Sequence, residues 1–508
     1  MPQGILPFQL KGERSNTQVT AFVGALAYIE LMVASGLLES VRRHLAVRAA
    51  GNQGWTDLQF VLTLLLLNLL GGEGVSDVEV LEADEGLGAM TRRAELKGLT
   101  GGERRAFKAR FRGARVRNFP SQTATHRYLE AFHDEAQEEL RQPNEAFIPE
   151  AKANLLGLGK VNADLLGFVQ KRAPSKVATL DQDATLIETE KREALYCYKS
   201  FPAYQPLNVY WAERDLMVHS EFRDGNVPAG FQQLRVLEEA LTHLPEGVEK
   251  VMLRSDSAGY QSELMRYCAE GRNERFGVIE FAIGIKVSDA FKHAVAQVAE
   301  EDWRPLLREV GGEQRETGQE WAEVCFVPNS LSTKKNGPTY RFLATREPIQ
   351  QLSLPGTEEP VEPSVPTVQL AGEVRYKVFG MVTNRTVSGD EVIWWLRERC
   401  GRSEAVHAVL KHDLAAGRLP SKRFGANAAW WALAVLAANV NSMMRHLVLG
   451  GEWAHKRAKA LRFGFINLAA RLVAHARTVV LRVSSRHPGF GLLVRARARI
   501  VALAQAPT

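Results

Sequence analysis

Lys250-Val-Met-Leu-Arg-Ser-Asp-Ser-Ala-Gly-Tyr260 passes within eleven residues from a short apolar run to turn chemistry. The helical pattern Gln261-Ser-Glu-Leu-Met-Arg-Tyr-Cys268 then takes over at once. A strand, a tight turn and a helix in that order describe entry into an α/β sheet, with Asp256 just past the strand's C-terminal end. Open α/β sheets bind ligands at that end. The plainer reading makes Asp256 or Ser257 a cap on the helix that follows, and this stretch alone leaves both open.

The surrounding pattern predicts which sheet the strand belongs to. From about Lys176 the period shortens to two, and Val177–Ile187 alternates like a strand. Tyr196–Trp211 and Leu216–Phe222 supply two more strand-like runs. Phe231–Leu244 is an amphipathic helix, the strand to Asp256 comes next, and Phe276–Lys286 is a fifth strand after the helix at 261–271. Three strands, a helix, a strand, a helix and a strand predict an α/β fold with a mixed sheet and crossover helices over 176–286.

The rest of the chain is arranged around that core. Residues 1–150 read as helical, with Thr56-Asp-Leu-Gln59 and Ser76-Asp-Val-Glu79 as capping boxes and Gly71-Gly72 as a helix stop. Residues 287–385 hold short β-like runs (321–327, 340–346, 374–382) around the Pro/Glu-rich link Leu354–Pro366. Helical patterns resume over 386–450, where Asn427–Leu447 is strongly apolar, and a basic, helical C-terminal region is expected over 451–508.

Charge is distributed unevenly. Ten Lys/Arg stand between Arg92 and Arg117 against only Glu95 and Glu103, and eleven follow Glu452 with no carboxylate side chain. Such clusters suit a polyanion, and Arg110, Arg112, Arg115 and Arg117 are the expected phosphate contacts. The stretches 102–112 and 119–132 resemble a helix-turn-helix reader and equally suit a plain pair of surface helices. The four cysteines are widely spaced with no Cys-x-x-Cys pair, which argues against a zinc ribbon or disulfide framework and fits a reducing cytoplasm. The start of the chain lacks a signal-peptide core, and the apolar run Phe60–Leu70 is shorter than the roughly 20 residues of a membrane span. No Gly-x-Ser-x-Gly elbow points to a serine hydrolase.

Two further acidic stretches flank Asp256. Asp181 and Asp183 are two residues apart on one strand and share a face, where burial demands a cation or a donor. Past the β-rich interruption, Glu404, His407 and Lys411 are spaced to fall on one helical face. An ordinary exposed helix is the plain reading of Glu404.

Taken together, Leu180-Asp-Gln-Asp-Ala-Thr185, Leu253-Arg-Ser-Asp-Ser-Ala-Gly-Tyr260, Val382-Thr-Asn384 and Arg402-Ser-Glu-x6-Lys411 resemble the DDE transposases of bacterial insertion sequences. The likeness is strongest to the family numbered thirteen-eighty. Trp55-Thr-Asp-Leu-Gln59 and Leu70-Gly-Gly-x3-Ser-Asp77 extend it over nearly the whole chain. The resemblance implies a ribonuclease-H-like core interrupted by an insertion, acting on double-stranded DNA at the terminal inverted repeats of its own element and on target DNA. It also implies a homodimer on DNA. Asp183, Asp256 and Glu404 would be the catalytic, metal-binding triad, with Asp181 as the alternative carboxylate on the first strand. Hard carboxylate oxygens suit Mg²⁺ or Mn²⁺, and two ions roughly 4 Å apart serve in-line phosphodiester attack. Lys411 matches the lysine of the Tyr-Arg-Glu-Lys signature, which contacts DNA phosphate. The signature's arginine would fall at Cys400, between Arg399 and Arg402, and its tyrosine at Arg397, so Arg399 and Arg402 are the nearby cations for DNA. In relatives an aromatic in the insertion holds a flipped base; Trp321 is the candidate here, with a core tryptophan as its other reading.

Overall fold

The computed structural model describes residues 18–48, 54–110, 117–142, 145–328, 331, 338, 340–349, 366–369, 374–475 and 478–506. Five strands form the heart of a mixed sheet: β1 (Val177–Ala184), β2 (Leu207–Trp211), β3 (Leu216–Glu221), β4 (Lys250–Ser255) and β5 (Glu280–Ile285). Their spatial order is β3-β2-β1-β4-β5. β1 runs antiparallel to β2 and parallel to β4, and β4 parallel to β5. Parallel neighbours need crossover segments, which Gln233–His243 and Ser262–Ala269 supply. The expected run from Tyr196 is strand only from Ala203: Tyr196 and Tyr198 are exposed, and Pro202 and Pro206 divide the segment.

The β-rich interruption continues this sheet. Its strands are β6 (Arg304–Val310), β7 (Glu313–Val324), β8 (Arg341–Pro348), β9 (Thr367–Gln369) and β10 (Arg375–Thr383), and the order runs on as β5-β10-β8-β7-β6 with β9 beside β10. Thr383 and Asn384 join the two halves. The Thr383 hydroxyl donates to Phe281 O (2.6 Å), while Asn384 accepts from Phe281 N (2.8 Å) and donates to Ile279 O (3.0 Å). β6 shows no apolar alternation because it is an edge strand with only Leu306 buried, a position where Pro305 costs no ladder bond. The link Leu354–Pro366 lies outside the described residues except for Pro366.

Helices pack the N-terminal region around the helix Asp57–Leu70. Thr56 and Gln59 close the expected capping box, and Gly71 ends the helix at φ 92°. Ser76 does not cap: Val75–Asp77 is a 3-10 turn, and Asp77 instead accepts from Glu73 N (2.7 Å). Leu58 to Leu69 is buried throughout, which explains the missing polar side. The stretch Phe424–Leu449 is long and apolar enough to cross a membrane. Here its Trp430 and Trp431 are buried, and it packs against Asp57–Leu70, Ala153–Arg172 and β3. Asn439 pins it to β3, accepting from Met217 N (2.8 Å) and donating to Met217 O (2.8 Å) and Asn162 Oδ1 (2.6 Å). Polar groups this deeply buried hold one register, because any other leaves them unpaired.

The region 451–508 corrects the helical expectation. Its centre is a hairpin, β11 (Ala470–His475) and β12 (Thr478–Val483), followed by the helix Pro488–Gln505. β12 alternates exposed and half-buried residues, the period of a strand. β11 pairs with Gln18–Thr20, so the two ends of the described chain share one sheet.

Asp215 ties the β2–β3 turn to the far end of the long apolar helix. It sits at φ 54° and accepts from the Tyr210 hydroxyl, Arg445, His446 (3.0 Å) and Ser442 (3.2 Å). Burial alone would raise its pKa; the His446 hydrogen bond and the Arg445 charge outweigh that and hold it at about 2. A carboxylate held below its ordinary value contributes stability above about pH 4, and this is lost as pH falls toward about 2. Asp215→Asn is therefore expected to lower stability at neutral pH and to flatten its decline across that acid window. Urea unfolding at a series of pH values measures both.

Candidate active site

Asp183 lies near the C-terminal end of β1 and Asp256 immediately after β4, on neighbouring parallel strands. The pairs Asp181–Arg254 and Gln182–Ser255 fix the register, so the next rung sets Asp183 beside Asp256. Asp256 is also a cap: its Oδ1 accepts from Ala258 N at 2.9 Å. The two readings of this residue therefore coexist, because a cap engages one oxygen. Asp183 is half-buried and accepts from Arg399 Nη1 at 2.8 Å. Burial raises its pKa, the Arg399 charge pulls it down, and the neighbouring Asp256 pushes it up again, to about 6.

Asp181 has a different environment. It is 1% exposed and receives both arms of the equally buried Arg254, Nε to Oδ1 at 2.6 Å and Nη2 to Oδ2 at 2.9 Å. Burial pushes its pKa upward and the Arg254 fork opposes this. Both of its oxygens are thus held by one buried cation, whereas Asp183 has a contact on only one.

The helix Gly389–Ala408 lies across these strands and buries Val392, Leu396, Arg399, Ser403 and His407. Glu404 is exposed. Arg402 donates to Ala212 O (3.1 Å), beside the N-terminal half of β1. At about 100° per residue, Glu404 lies roughly 140° round the helix from Arg399, the residue that reaches Asp183. Of the expected common face, Glu404 and His407 keep their helical spacing, the first exposed and the second buried, while Lys411 leaves it. His407 is buried against Asn208 (3.1 Å), and burial drives its pKa down to about 4. The helix then unwinds into a π turn over Val409–Asp413, which shifts Lys411 off the α-helical spacing. Lys411 donates to Leu186 O (3.3 Å), beyond the end of β1, and burial lowers its pKa, with Lys199 adding to the effect. Among the described residues, no three His, Cys, Asp or Glu side chains are grouped to hold a metal ion. The Asp183–Asp256 pair itself suits a hard divalent cation: burial and the neighbouring Asp256 oppose the ionised form of Asp183, and a cation relieves both.

Of the remaining expectations, Arg399 is engaged by Asp183 rather than free for DNA. Arg117 pairs with Glu79 (2.8 Å). Arg110 ends the helix Gly101–Arg110, whose first nine residues are exposed save half-buried Phe107, and Arg112 and Arg115 lie outside the described residues. The second helix of the possible reader, Gln122–Glu130, buries Thr125, Tyr128 and Leu129, and Tyr128 stacks on Phe60. Trp321 is a core tryptophan. It is 5% exposed among Leu306, Leu343, Val392 and Ile393, and a Cβ on Gly389 would come within 2.2 Å of its ring. The sequence reading missed Arg254. Its signal was present: Arg254 stands two before Asp256 as Asp181 stands two before Asp183, opposite charges sharing a face.

A β3-β2-β1-β4-β5 sheet with β2 antiparallel, and carboxylates at the ends of the adjacent β1 and β4, defines a ribonuclease-H-like fold. The sequence model of the transposase DDE domain, group 1, matches residues 9–505, and the chain belongs to that family. A search of curated proteins gave no match. Among solved structures the chain is similar to a piggyBac transposase, determined by cryo-EM as a synaptic complex with hairpin DNA. Identity is 8%, with 97% of this chain and 85% of that chain covered at a TM-score of 0.42.

Proposed function

We propose that this chain is the cut-and-paste transposase of a bacterial insertion sequence of the family numbered thirteen-eighty. It cleaves the terminal inverted repeats of its own element and joins them to target DNA, working in the cytoplasm. The observation that carries the reading is the Asp183–Asp256 pair on adjacent strands within a chain of this family. Asp183, Asp256 and Glu404 are the residues that would hold Mg²⁺ or Mn²⁺. When bound, two such ions supply an activated water or 3′-hydroxyl and stabilise the leaving oxygen. Arg399 holds one Asp183 oxygen in place and offsets its charge. Lys411, past the end of β1, meets a DNA phosphate as a compact point charge, and Arg402 serves DNA further along the helix.

One observation favours a second reading, a transposase-derived DNA-binding protein without catalysis: Glu404 is exposed and is not grouped with the two aspartates. Incubating the protein with a duplex of the element end and Mg²⁺ separates the two. Cleavage supports the transposase, and tight binding without cleavage supports the inactive relative. Cleavage that never leads to joining would point instead to another ribonuclease-H-like nuclease.

The exposed helix Gly101–Arg110 and the cations after it are the proposed DNA-end contacts. Replacing Arg110, Arg112 and Arg115 is expected to weaken end binding and flatten its salt dependence, by roughly 0.9 log units of slope for each phosphate that is no longer neutralised. Arg117, already paired with Glu79, should contribute least. Fluorescence anisotropy across a salt series reads the slope, and an unchanged slope would place the cluster away from DNA.

Synapsis of two ends requires a dimer or larger assembly, which we expect to form on DNA because two basic protomers repel each other. Deleting the region after Glu452 would be an unsound probe, since β11 pairs with Gln18–Thr20 and Arg497 holds Glu30. Substituting the exposed Arg482, Arg486 and Arg495 is cleaner. Mass photometry with end duplex should show paired wild-type protomers and fewer pairs in the triple variant. A single protomer competent to join both ends would contradict the assembly.

A further inference from the structure

Arg254 makes polar contacts to two other parts of the candidate site at once. Beyond its fork on Asp181 of β1, its Nη1 donates to Trp395 O (2.7 Å) and to Glu398 (3.0 Å) on the Glu404 helix. The guanidinium also stands 5.4 Å from the centre of the Trp395 ring. Every nitrogen of the group is used. Arg254 belongs to β4, so a single planar cation spans the strand before Asp256, the strand of Asp183 and the helix carrying Glu404.

Stability alone is a poor reason for this arrangement. A buried ion pair loses most of its attraction to desolvation, and apolar side chains of similar size often serve as well. Geometry is a better one. A guanidinium fork is rigid and accepts partners only in fixed directions. Asp181 and Arg254 are opposite each other in the parallel register, one side-chain step below Asp183 and Asp256. Fixing the lower pair sets the spacing of the upper pair, whose like charges would otherwise push apart.

We propose that Arg254, with Asp181, is a positioning residue for metal binding: it fixes the distance between Asp183 and Asp256 and the placement of the Glu404 helix above them. This rests on the reading of Asp183, Asp256 and Glu404 as metal ligands. Arg254 touches neither metal nor DNA in this role.

The test uses the full chain and Mn²⁺ as the probe, with free Mn²⁺ measured by electron paramagnetic resonance and Asp256→Asn protein as the blank. Melting temperature and end-duplex binding are followed in parallel. The double variant Asp181→Met/Arg254→Met removes both charges together, leaving neither unpaired. Its Mn²⁺ affinity is expected to fall roughly 10–100-fold, the range for residues that orient metal ligands, with end binding unchanged. Arg254→Lys keeps the charge and loses the fork, and should fall between wild type and the double variant. Glu398→Ala removes only an exposed partner on the helix and should show a smaller loss in the same direction. A merely structural role would move the melting temperature and leave the Mn²⁺ affinity of the folded protein alone. Wild-type Mn²⁺ affinity in Arg254→Lys and in the double variant overturns the proposal; if the double variant does not fold, wild-type affinity in Arg254→Lys does so by itself. Should Asp256→Asn bind Mn²⁺ as well as wild type, the failure lies in the assignment of the metal ligands.

Discussion

Asp256→Ala and Glu404→Ala are each expected to abolish strand cleavage while leaving end binding largely intact. The loss should exceed the roughly 10–100-fold typical of residues that only support a metal ligand. Asp256 has one oxygen on Ala258 N, and alanine gives up that cap as well, so a small loss of stability accompanies the loss of activity. Glu404 is exposed, and its removal should cost almost no stability. A gel assay for nicked end duplex, run beside anisotropy for binding, reads both quantities. Wild-type cleavage by Asp256→Ala would remove the β1–β4 pair from the chemistry. Wild-type cleavage by Glu404→Ala alone would move the third ligand elsewhere.

The second large effect separates two aspartates that the sequence places side by side. Asp181→Asn leaves the fully buried Arg254 facing a neutral amide, and breaking a buried pair in this way costs about 3–5 kcal/mol. The variant should melt early or fail to accumulate. Asp183→Asn takes the carboxylate from the less deeply buried Arg399, and burial and Asp256 already oppose the Asp183 charge, so its stability should fall less than that of Asp181→Asn while cleavage disappears. Differential scanning fluorimetry and the cleavage assay together give opposite patterns at the two positions. A stable Asp181→Asn protein without activity, beside an active Asp183→Asn protein, would exchange the two assignments.

The legible parts of this chain were those fixed by local chemistry. The period-two pattern at Val177, the capping box at Thr56 and the strand–turn–helix change at Asp256 each follow from residues close together, and the structure has all three. The order of carboxylates followed from the order of elements. What stayed hidden depends on distant contacts. Asp181 and Arg254 are 73 residues apart, and their matching offsets from Asp183 and Asp256 become a contact only once β1 and β4 are set side by side in register. Trp321 read as a core tryptophan or a stacking surface, and the structure gives the first, but its partners Val392 and Ile393 lie on a helix beyond the insertion and could not be named from its own stretch. The π turn at Val409–Asp413 breaks the spacing from which one face was inferred for Glu404, His407 and Lys411. In the C-terminal region, arginines at mixed spacing obscured the period of β11 and β12, and the strand that completes that small sheet comes from the other end of the chain.

The central claim is that this chain joins DNA ends, and one reaction tests it most directly. The proposed function puts an inverted repeat at each end of the element, and the substrate is a labelled duplex ending in the repeat sequenced there, mixed with the full chain, a supercoiled plasmid and Mg²⁺. The account predicts label covalently transferred into plasmid DNA, dependent on Mg²⁺ and lost in Asp256→Ala. Duplex that is bound tightly but neither cut nor joined by the wild-type protein would contradict it.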